Sequence, residues 1–471
     1  SDVAFAADDG GAVAPAAAPV GPDGLASAAA TLGPTAGPQS FTATCDGLEA
    51  AFDATATEHV VEALVPERAF PGCPIDLEVE VLGALFAGDA EVIWDAGGAE
   101  QTITPDLVET DRLVVTLPSA LLDAAGEVPI TVEQGGVRCA ATTFAIGAGL
   151  PDTGQTQCHD GGGQIACPGA GESLYGQDAQ FGWDLRLSPA ERFDRGEPVV
   201  GEPVVADAIT LLEWQGCAAG LAGADCASGE LEDLDHAAAA TYCDDLAWGG
   251  HDDWRLPGVV ELSTIFDLGE ALPAADADVF PATPLYSFWT ATPTAGDGSR
   301  FWRIEPADGG IGTHDESTLD QVRCVRGDGP PPASFLPHVA GGDPIVRDAS
   351  TGLTWQGCSA GLSGAACSSG VAQSSTWTAA LDYCSGLSWA GRDDWRLPSR
   401  AELLSLVDYA SVDPAFDLGA FFEVDEISYY WTSTASVSTP SYVAVVRFAD
   451  GSANYETSMG GGRTRCVRGG P

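Results

Sequence analysis

One segment of the chain has the residue spacing of a serine nucleophile. Residues Gly357–Gly361 read Gly-Cys-Ser-Ala-Gly, the G-x-S-x-G pattern that places a reactive serine on a sharp strand-to-helix turn. The corresponding stretch Gly216–Gly220 has alanine in place of that serine. Both stretches also contain a cysteine that we expect to close a small disulfide loop. The pattern therefore predicts no catalysis, and we expect the protein not to be an enzyme.

Acidic residues and histidines are the possible metal ligands. The six histidines are scattered and show no zinc-binding spacing. Ca²⁺ needs several oxygen ligands in one place, and the weak candidates are two adjacent aspartates in each half of the C-terminal region, Asp252, Asp253, Asp393 and Asp394. In the alternative interpretation one aspartate of each pair caps a turn, while Arg255 and Arg396 pair with Glu261 and Glu402. We favour the ion pairs and expect no cofactor, with Ca²⁺ as the alternative.

Aromatic side chains could stack on sugars. The tryptophans considered are Trp254, Trp289, Trp302, Trp389, Trp395 and Trp431. Most are expected to fill the cores of small domains, since burying one aromatic ring contributes several kcal/mol, on the order of 2–3, to stability. Tyr429, Tyr430 and Tyr442 remain as candidate glycan contacts.

Thirteen cysteines, most at repeated spacings, predict a disulfide framework and an oxidising compartment. Apolar periodicity predicts short helices over His236–Leu246 and Thr376–Leu387, each with a cysteine on its inner face. Bonds from these cysteines to the last strand of each repeat would close long loops, three other bonds would close short loops, and Cys73 and Cys139 would sit on strands of the N-terminal domain. The expected pairs are Cys243–Cys324, Cys384–Cys466, Cys217–Cys226, Cys358–Cys367, Cys158–Cys167 and Cys73–Cys139. Cys45 is then unpaired or bonded to another chain.

These residues belong to a unit that occurs twice. Trp214–Cys217 recurs as Trp355–Cys358, and Asp252–Pro257 recurs as Asp393–Pro398, both at an offset of 141 residues. A repeat of this length is the size of a domain, so it indicates two tandem domains rather than a solenoid. Binding and building modules are duplicated more readily than active sites, and the repeat favours a non-enzymatic protein.

The two repeats resemble the Lcl C-terminal domain family, named after a collagen-like bacterial adhesin. The resemblance rests on an ordered set of boxes that covers residues 150–328 and 346–470: the lead-in Leu150–Thr156, Trp-Gln-Gly-Cys, Asp-Trp-Arg-Leu-Pro, Ala-Asp-Gly and the final Arg-Cys-Val-Arg-Gly. It implies a fold in the C-type-lectin-like and formylglycine-enzyme-like group, with an early helix and a loop-rich antiparallel sheet. It also implies glycan binding, of glycosaminoglycans in the family at large.

Residues 41–148 alternate apolar and polar positions in short runs, such as Ile75–Val81 and Leu113–Leu117, separated by Gly, Pro and Asp turns. This pattern predicts a β-sandwich. The segments Val92–Trp94, Thr102–Pro105 and Leu113–Leu122 are similar to those of the IPT/TIG immunoglobulin-like fold. The fold class is therefore mainly β and multidomain, an Ig-like sandwich followed by two disulfide-stapled α+β lectin-like domains at 149–328 and 329–471.

Charge and chain composition define the expected setting. The formal net charge is −50, which opposes nucleic acid, anionic lipid and polyanionic glycans, so a neutral sugar is the expected glycan. No run of about 18 apolar residues could span a membrane. The chain begins at Ser1 without a signal peptide, as a processed secreted protein would. We expect an extracellular protein of the cell surface.

Residues 1–40 form an Ala/Gly/Pro-rich tail with few large apolar side chains. By composition such a tail does not order itself, and it gains order against a neighbouring subunit or against its own domains. Strand addition to a neighbour would propagate head to tail without closing. We therefore predict a bacterial surface filament subunit that polymerises with copies of itself. The alternative is a monomeric or anchored glycan-binding adhesin, and an enzyme of the formylglycine-generating kind is a third class.

Overall fold

The computed structural model describes residues 2–7, 12–15, 17–19, 29–31, 37–45, 48–56, 59–69, 77–96, 98–122, 126–146, 150–181, 188–329, 333–421, 423 and 429–469. The chain divides into two compact units. Residues 1–67, 75–121 and 126–145 form the first, and residues 146–471 with the short pieces 68–74 and 122–125 form the second. Strands predominate over helices in the described residues, so the protein is mainly β, as predicted.

The N-terminal part of the chain consists of short strands and one 3-10 turn, Ser119–Leu121. The strands are β1 (Asp2–Ala7), β2 (Ala12–Ala14), β3 (Ala17–Pro19), β4 (Ala29–Thr31), β5 (Gly37–Cys45), β6 (Leu48–Ala56), β7 (Val60–Val65), β8 (Arg68–Ala69), β9 (Leu77–Ala84), β10 (Glu91–Ala96), β11 (Ala99–Ile103), β12 (Leu107–Val108), β13 (Arg112–Leu117), β14 (Gly126–Gln134), β15 (Val137–Arg138) and β16 (Thr142–Ile146).

The described part of the tail forms strands with its own chain. Strand β1 lies between β3 and β5 in a sheet of order β3-β1-β5-β6, with Ala4 opposite Thr44 and Ala7 opposite Phe41. Composition alone predicted no such order. Alanine-rich strands bury little apolar surface, but β1 pairs its backbone with β3 over Asp2–Ala4 and with β5 over Ala4–Ala7, which satisfies N–H and C=O groups that a lone tail would leave to water.

The predicted sandwich consists of two antiparallel sheets, in the orders β11-β10-β14-β16 and β12-β13-β9-β7. Successive side chains of a strand point to opposite faces, and Leu113, Val115 and Leu117 are all fully buried while Thr116 between them is exposed. On the other sheet the Trp94 ring packs against Phe144 with 5.5 Å between centroids. Both rings are inaccessible to solvent, so this sheet too has one buried apolar face.

The second unit contains the lead-in and both repeats, with a 3-10 turn at Asp178–Gln180. Its elements are β17 (Cys158–His159), β18 (Gln164–Ile165), α1 (Pro189–Arg192), β19 (Phe193–Val199), β20 (Glu202–Asp207), β21 (Glu213–Gln215), β22 (Leu221–Ala222), β23 (Ser228–Gly229), α2 (His236–Asp244), α3 (Val259–Ser263), β24 (Phe288–Thr294), β25 (Asp297–Glu305), β26 (Gly310–Asp315), β27 (Val325–Arg326), β28 (Phe335–Ala340), β29 (Asp343–Asp348), β30 (Leu353–Gln356), β31 (Leu362–Ser363), β32 (Ser369–Gly370), α4 (Trp377–Ser385), α5 (Arg400–Leu404), β33 (Tyr429–Ala435), β34 (Tyr442–Arg447), β35 (Ala453–Thr457) and β36 (Val467–Gly469).

Each repeat builds the same set of elements. A sheet of order β19-β20-β21-β27 in the first repeat corresponds to β28-β29-β30-β36 in the second. The predicted helices are present as α2 and α4, and their cysteines Cys243 and Cys384 are fully buried. Trp214 and Trp355, at equivalent positions of the central strands, are both inaccessible to solvent and anchor the two cores.

The two repeats share one sheet, which their sequences did not indicate. Its order is β24-β25-β26-β35-β34-β33, so that three strands come from each repeat. The joint is the antiparallel pair β26 and β35, where Ile311 lies opposite Ala453. These two residues occupy equivalent positions of the repeats, so the joint lies on a pseudo-twofold axis. One apolar cluster also contains buried residues of both repeats, including Trp302 and Phe448.

The cysteine-bearing lead-in packs against the second repeat, although it precedes the first. Leu174 lies against the cluster that contains Trp377 and Trp395. The Gln155 side-chain amide donates hydrogen bonds to the carbonyl of Leu268 in one repeat, at 2.9 Å, and to that of Ala435 in the other, at 2.7 Å. The lead-in therefore ties the two repeats together.

Candidate functional site

Disulfide bonds hold the framework around the repeats. The structure joins Cys158 to Cys167, Cys217 to Cys226, Cys243 to Cys324, Cys358 to Cys367 and Cys384 to Cys466. In the sandwich, Cys139 carries a buried free thiol, and its Sγ accepts a hydrogen bond from the Val132 amide at 3.1 Å. Its expected partner Cys73 lies outside the described residues, and so does the side chain of Cys45.

The calcium candidates lie in ion pairs. Asp253 contacts Arg326 at 2.7 Å, and Asp394 contacts Arg468 at 2.8 Å. Their neighbours Asp252 and Asp393 are exposed. Among the described residues no group of three or more His, Cys, Asp or Glu side chains is arranged to hold a metal ion. Asp253 and Asp394 therefore have a structural role, because they hold the closing strands β27 and β36 of the two repeats through Arg326 and Arg468.

The alternative ion pairs are present in both repeats. Arg255 donates two hydrogen bonds to Glu261, at 2.7 and 2.6 Å, and Arg396 donates two to Glu402, both at 2.6 Å. Each glutamate also accepts from the backbone amide three residues earlier, at the start of α3 or α5. Acids in this position satisfy free N–H groups and favour the helix N-terminus. These pairs fix the direction of α3 and α5.

The hydroxyl of the serine with nucleophile-like spacing contacts a tyrosine and an arginine and no histidine among the described residues, while its backbone amide donates to the Glu423 carboxylate at 3.3 Å. Ser359 is fully buried, and its Oγ lies 2.9 Å from the Tyr430 hydroxyl and accepts a hydrogen bond from Arg465 at 3.3 Å. A nucleophilic serine needs a histidine or other base within hydrogen-bond reach. Ser359 therefore belongs to a structural network.

The aromatic candidates are mostly core residues. The six tryptophans are all buried, at 8% exposure or less: Trp254, Trp289, Trp302, Trp389, Trp395 and Trp431. Tyr430 is fully buried, Tyr429 is half-buried and Tyr442 is 38% exposed. Only Tyr442 among the candidates offers an exposed ring.

A groove of about 730 Å³ lies between α3 of the first repeat and α5 of the second. Its walls are built from equivalent positions of the two repeats, namely Val260 and Ala401, Ser263 and Leu404, Thr264 and Ser405, Phe266 and Val407, and Leu268 and Tyr409. The lead-in residues Leu150–Thr153 and the aromatic rings of Phe335 and Phe416 complete it. Ligand sites of small molecules have this size, and they form preferentially at domain interfaces. Neither repeat could form this groove alone.

Sequence reasoning missed the groove for a physical reason. Apolar residues on one face of a helix predict a core, and Leu404 and Phe266 are indeed buried. That the two helices face each other across a cavity depends on the pairing of β26 with β35. The sequence carried one signal of the groove, which is the difference between the repeats at one helix position. The second repeat has the charged Arg400 where the first has the apolar Val259.

Two acids with raised pKa values lie near the groove, the buried Asp178 and the half-buried Asp267. Asp178 accepts hydrogen bonds from the Thr153 and Thr434 hydroxyls, and burial raises its pKa well above the usual value, with a further contribution from Asp152. A second, smaller cavity of about 250 Å³ is lined by Asp267, and burial raises the pKa of that carboxyl to about 6. In both acids burial shifts the equilibrium toward the protonated form, because the surroundings solvate charge poorly.

The geometry thus defines a pair of disulfide-bonded modules that share a sheet and enclose a groove. The profile of the Lcl C-terminal domain matches residues 203–326 and 344–468, more than half of the chain. The chain therefore belongs to the Lcl C-terminal domain family, in two tandem copies, as its sequence boxes predicted. Among the described residues, no helix has the length and apolar composition needed to cross a membrane.

Comparison with other proteins adds no further relative by sequence, since no curated protein matches significantly. Similar solved structures include the D0-D1 domain of intimin (12% identity, covering 31% of this chain and 80% of that one, TM-score 0.13). Others are the Bacteroides ovatus mixed-linkage glucan protein SGBP-B in complex with a heptasaccharide (14%, 34% and 41%, TM-score 0.16) and invasin, a bacterial integrin-binding protein (11%, 99% and 92%, TM-score 0.15). TM-scores this low carry no argument about function.

Proposed function

We propose that the protein is a non-catalytic, extracellular surface protein of the adhesin type, which binds its ligand in the groove between its two Lcl domains. The observation that carries the proposal is that equivalent residues of both copies line the groove. Two fused domains can therefore form a site that a single domain cannot form. The five disulfides in the described part of the chain fit an oxidising compartment.

We further propose that each Lcl domain is C-type-lectin-like. In support, a disulfide joins the early helix of each copy to the segment just before its last strand. The sandwich is taken to be an immunoglobulin-like spacer. The absence of catalysis is supported by the environment of Ser359 and by the disulfide-bonded state of the repeat cysteines, which leaves those thiols unable to act in formylglycine-type chemistry.

The groove can be tested by blocking it. Ala401→Trp places a large ring on the groove wall, and Val371→Trp places the same ring on a surface loop where the native side chain is 78% exposed. Both variants and the unmodified protein would be applied to an array of neutral glycans and screened by thermal shift against small alcohols, carboxylates and sugars. We expect every ligand found to lose binding to Ala401→Trp and to retain it with Val371→Trp. A ligand that binds both variants equally would place the site elsewhere, and the exposed Tyr442 would be the next position to test.

Polymerisation through the tail is the second candidate function. Strand β1 pairs with β5 of its own chain over Ala4–Ala7, and the same ladder could form with β5 of a neighbour, which would extend head to tail. We expect negative-stain images of the full chain to show filaments and those of a chain lacking residues 1–40 to show single particles, with groove binding unchanged. Single particles in both preparations would exclude this function.

A further inference from the structure

Arg400 is a buried charge without a carboxylate partner among the described residues. The residue is buried, with only 3% of its surface exposed to solvent. Nη2 donates to the carbonyl oxygen of Gly309, while Nε and Nη1 have no close hydrogen-bond partner among the described residues. Burial raises the pKa values of Tyr409 and Tyr455, and the nearby Arg400 charge opposes that rise, with a side-chain contact to Tyr455 as well. A buried charge without an oppositely charged partner is strongly unfavourable, so a negatively charged ligand group would be stabilised at this site.

The fold does not require a charge at this position. Arg400 is the first residue of α5, and the equivalent first residue of α3 is Val259, which is 2% exposed. Both helices have the same length, the same glutamate cap and the same ion pair to an arginine. The first repeat forms the equivalent helix with an apolar side chain at this position. An arginine is therefore not needed to form the helix, and its role is specific to the second repeat.

Arg400 lines the groove, whose walls are otherwise largely apolar. The acids around it are engaged in local structure. Asp152 accepts a hydrogen bond from the Thr153 amide, Asp408 accepts from Ala410 and Ser411, and Asp417 accepts from the amides of Gly419 and Ala420. Asp408 and Asp417 are exposed and Asp152 is half-buried, whereas Arg400 is buried, so the polar end of a ligand that enters deeply meets the cation.

We infer that the groove takes an apolar molecule that ends in a single carboxylate, which accepts hydrogen bonds from the unpartnered N–H groups of Arg400. This inference rests on the proposed function of the groove as the ligand site. The apolar part of the groove wall, with Leu404, Val407 and Phe416, suits a hydrocarbon or aromatic body. A singly charged carboxylate also suits a chain of net charge −50 better than a multiply charged phosphate or sulfate ester does.

The test is isothermal titration of the full chain with decanoate, 1-decanol and decylammonium, below their aggregation concentrations and at about 0.15 M salt, which screens long-range repulsion over roughly 8 Å. We expect decanoate to bind at least about tenfold more tightly than decanol, the factor that corresponds to one charge-assisted contact. Arg400→Met, which keeps the length and removes the charge, should bind both with equal affinity, and Arg400→Lys should keep part of the preference.

Thermal unfolding separates this role from a structural one. Replacing an unpaired buried charge with an apolar side chain of similar size should leave the melting temperature of Arg400→Met unchanged or raise it by roughly 2–4 °C. A lower melting temperature would make Arg400 a structural residue and overturn the inference. So would equal binding of decanol and decanoate to the unmodified protein, which would leave the groove itself as a ligand site. Failure of all three probes would likewise overturn the inference, whereas binding that Ala401→Trp does not reduce would contradict the proposed function.

Discussion

Partial burial changes the protonation of Asp267, a carboxyl group of the second unit. Asp267 accepts a hydrogen bond from the Gly269 amide, and its pKa is raised from 3.8 to about 6, principally because burial disfavours the charged form. The folded protein therefore holds a proton that the unfolded chain releases near pH 4. Stability contributed by the neutral form is present at low pH and is lost as the pH rises from about 4 to about 6.

Asp267→Asn tests this assignment, since asparagine keeps the acceptor and cannot ionise. We expect the variant to be more stable than the unmodified protein at pH 7, by up to about 2 kcal/mol, and equally stable at pH 4. Urea unfolding at both pH values measures the difference. A gain that is the same at both pH values would show that charge is not its cause.

The paired arginines and glutamates allow a matched comparison at the same scale. The side chains of Arg396 and Glu402 are 10% and 14% exposed, whereas those of Arg255 and Glu261 are 40% and 15% exposed. We expect Glu402→Ala to lower the free energy of unfolding by about 1–2 kcal/mol more than Glu261→Ala, because a buried arginine that loses its partner is solvated less well. Both changes remove the same helix cap, so the difference in urea unfolding reports the ion pair. Equal losses would show that the two pairs are equally screened by water.

At the scale of elements, disulfides compensate for short helices. The helices of the repeats have five to nine residues apart from the single turn of α1, and isolated helices of that length are marginal in water. Cys384–Cys466 ties α4 to the closing segment across 82 residues, whereas Cys358–Cys367 closes a loop of nine.

Replacing each pair by serines should therefore have different costs. In the chain-entropy description the long loop contributes about 4 kcal/mol and the short loop about 2.5 kcal/mol. We expect the Cys384→Ser/Cys466→Ser variant to unfold at a clearly lower urea concentration than the Cys358→Ser/Cys367→Ser variant. The opposite order would show that the small Gly/Ser-rich loop is the more important constraint in the folded state.

At the scale of the whole second unit, the shared sheet makes the two repeats interdependent. Residues 149–328 expressed alone would expose the edge of β26 and the apolar residues that now face the other repeat, and exposed edges of this kind pair with other chains. We expect this fragment to dimerise or aggregate, while residues 149–471 remain monomeric in light scattering and unfold in one transition. Two separate transitions in the longer fragment would show that the repeats fold independently.

Most of the local structure could be predicted because it depends on short-range patterns. Alternation over Arg112–Leu117 predicted a strand of the sandwich, and apolar spacing predicted the helices that carry Cys243 and Cys384. The ion pairs of Arg255 and Arg396 followed from oppositely charged residues at a fixed offset, and the cysteine spacing of the repeats pointed to the pairs that the structure joins. Composition misled where backbone pairing, not side-chain burial, orders the chain, as in strand β1.

The sequence by itself determined that this protein is a mainly β, disulfide-bonded chain with two Lcl domains, since box order, cysteine spacing and alternation are properties of the residues in order. Only the tertiary structure decided that the lead-in packs on the second repeat, that β26 pairs with β35, and that α3 and α5 then face each other across a groove with Arg400 in its wall. The physical reason is that these features come from contacts between segments more than a hundred residues apart. Each partner strand or helix face is complete in itself, and it carries no local signal of which other surface will cover it.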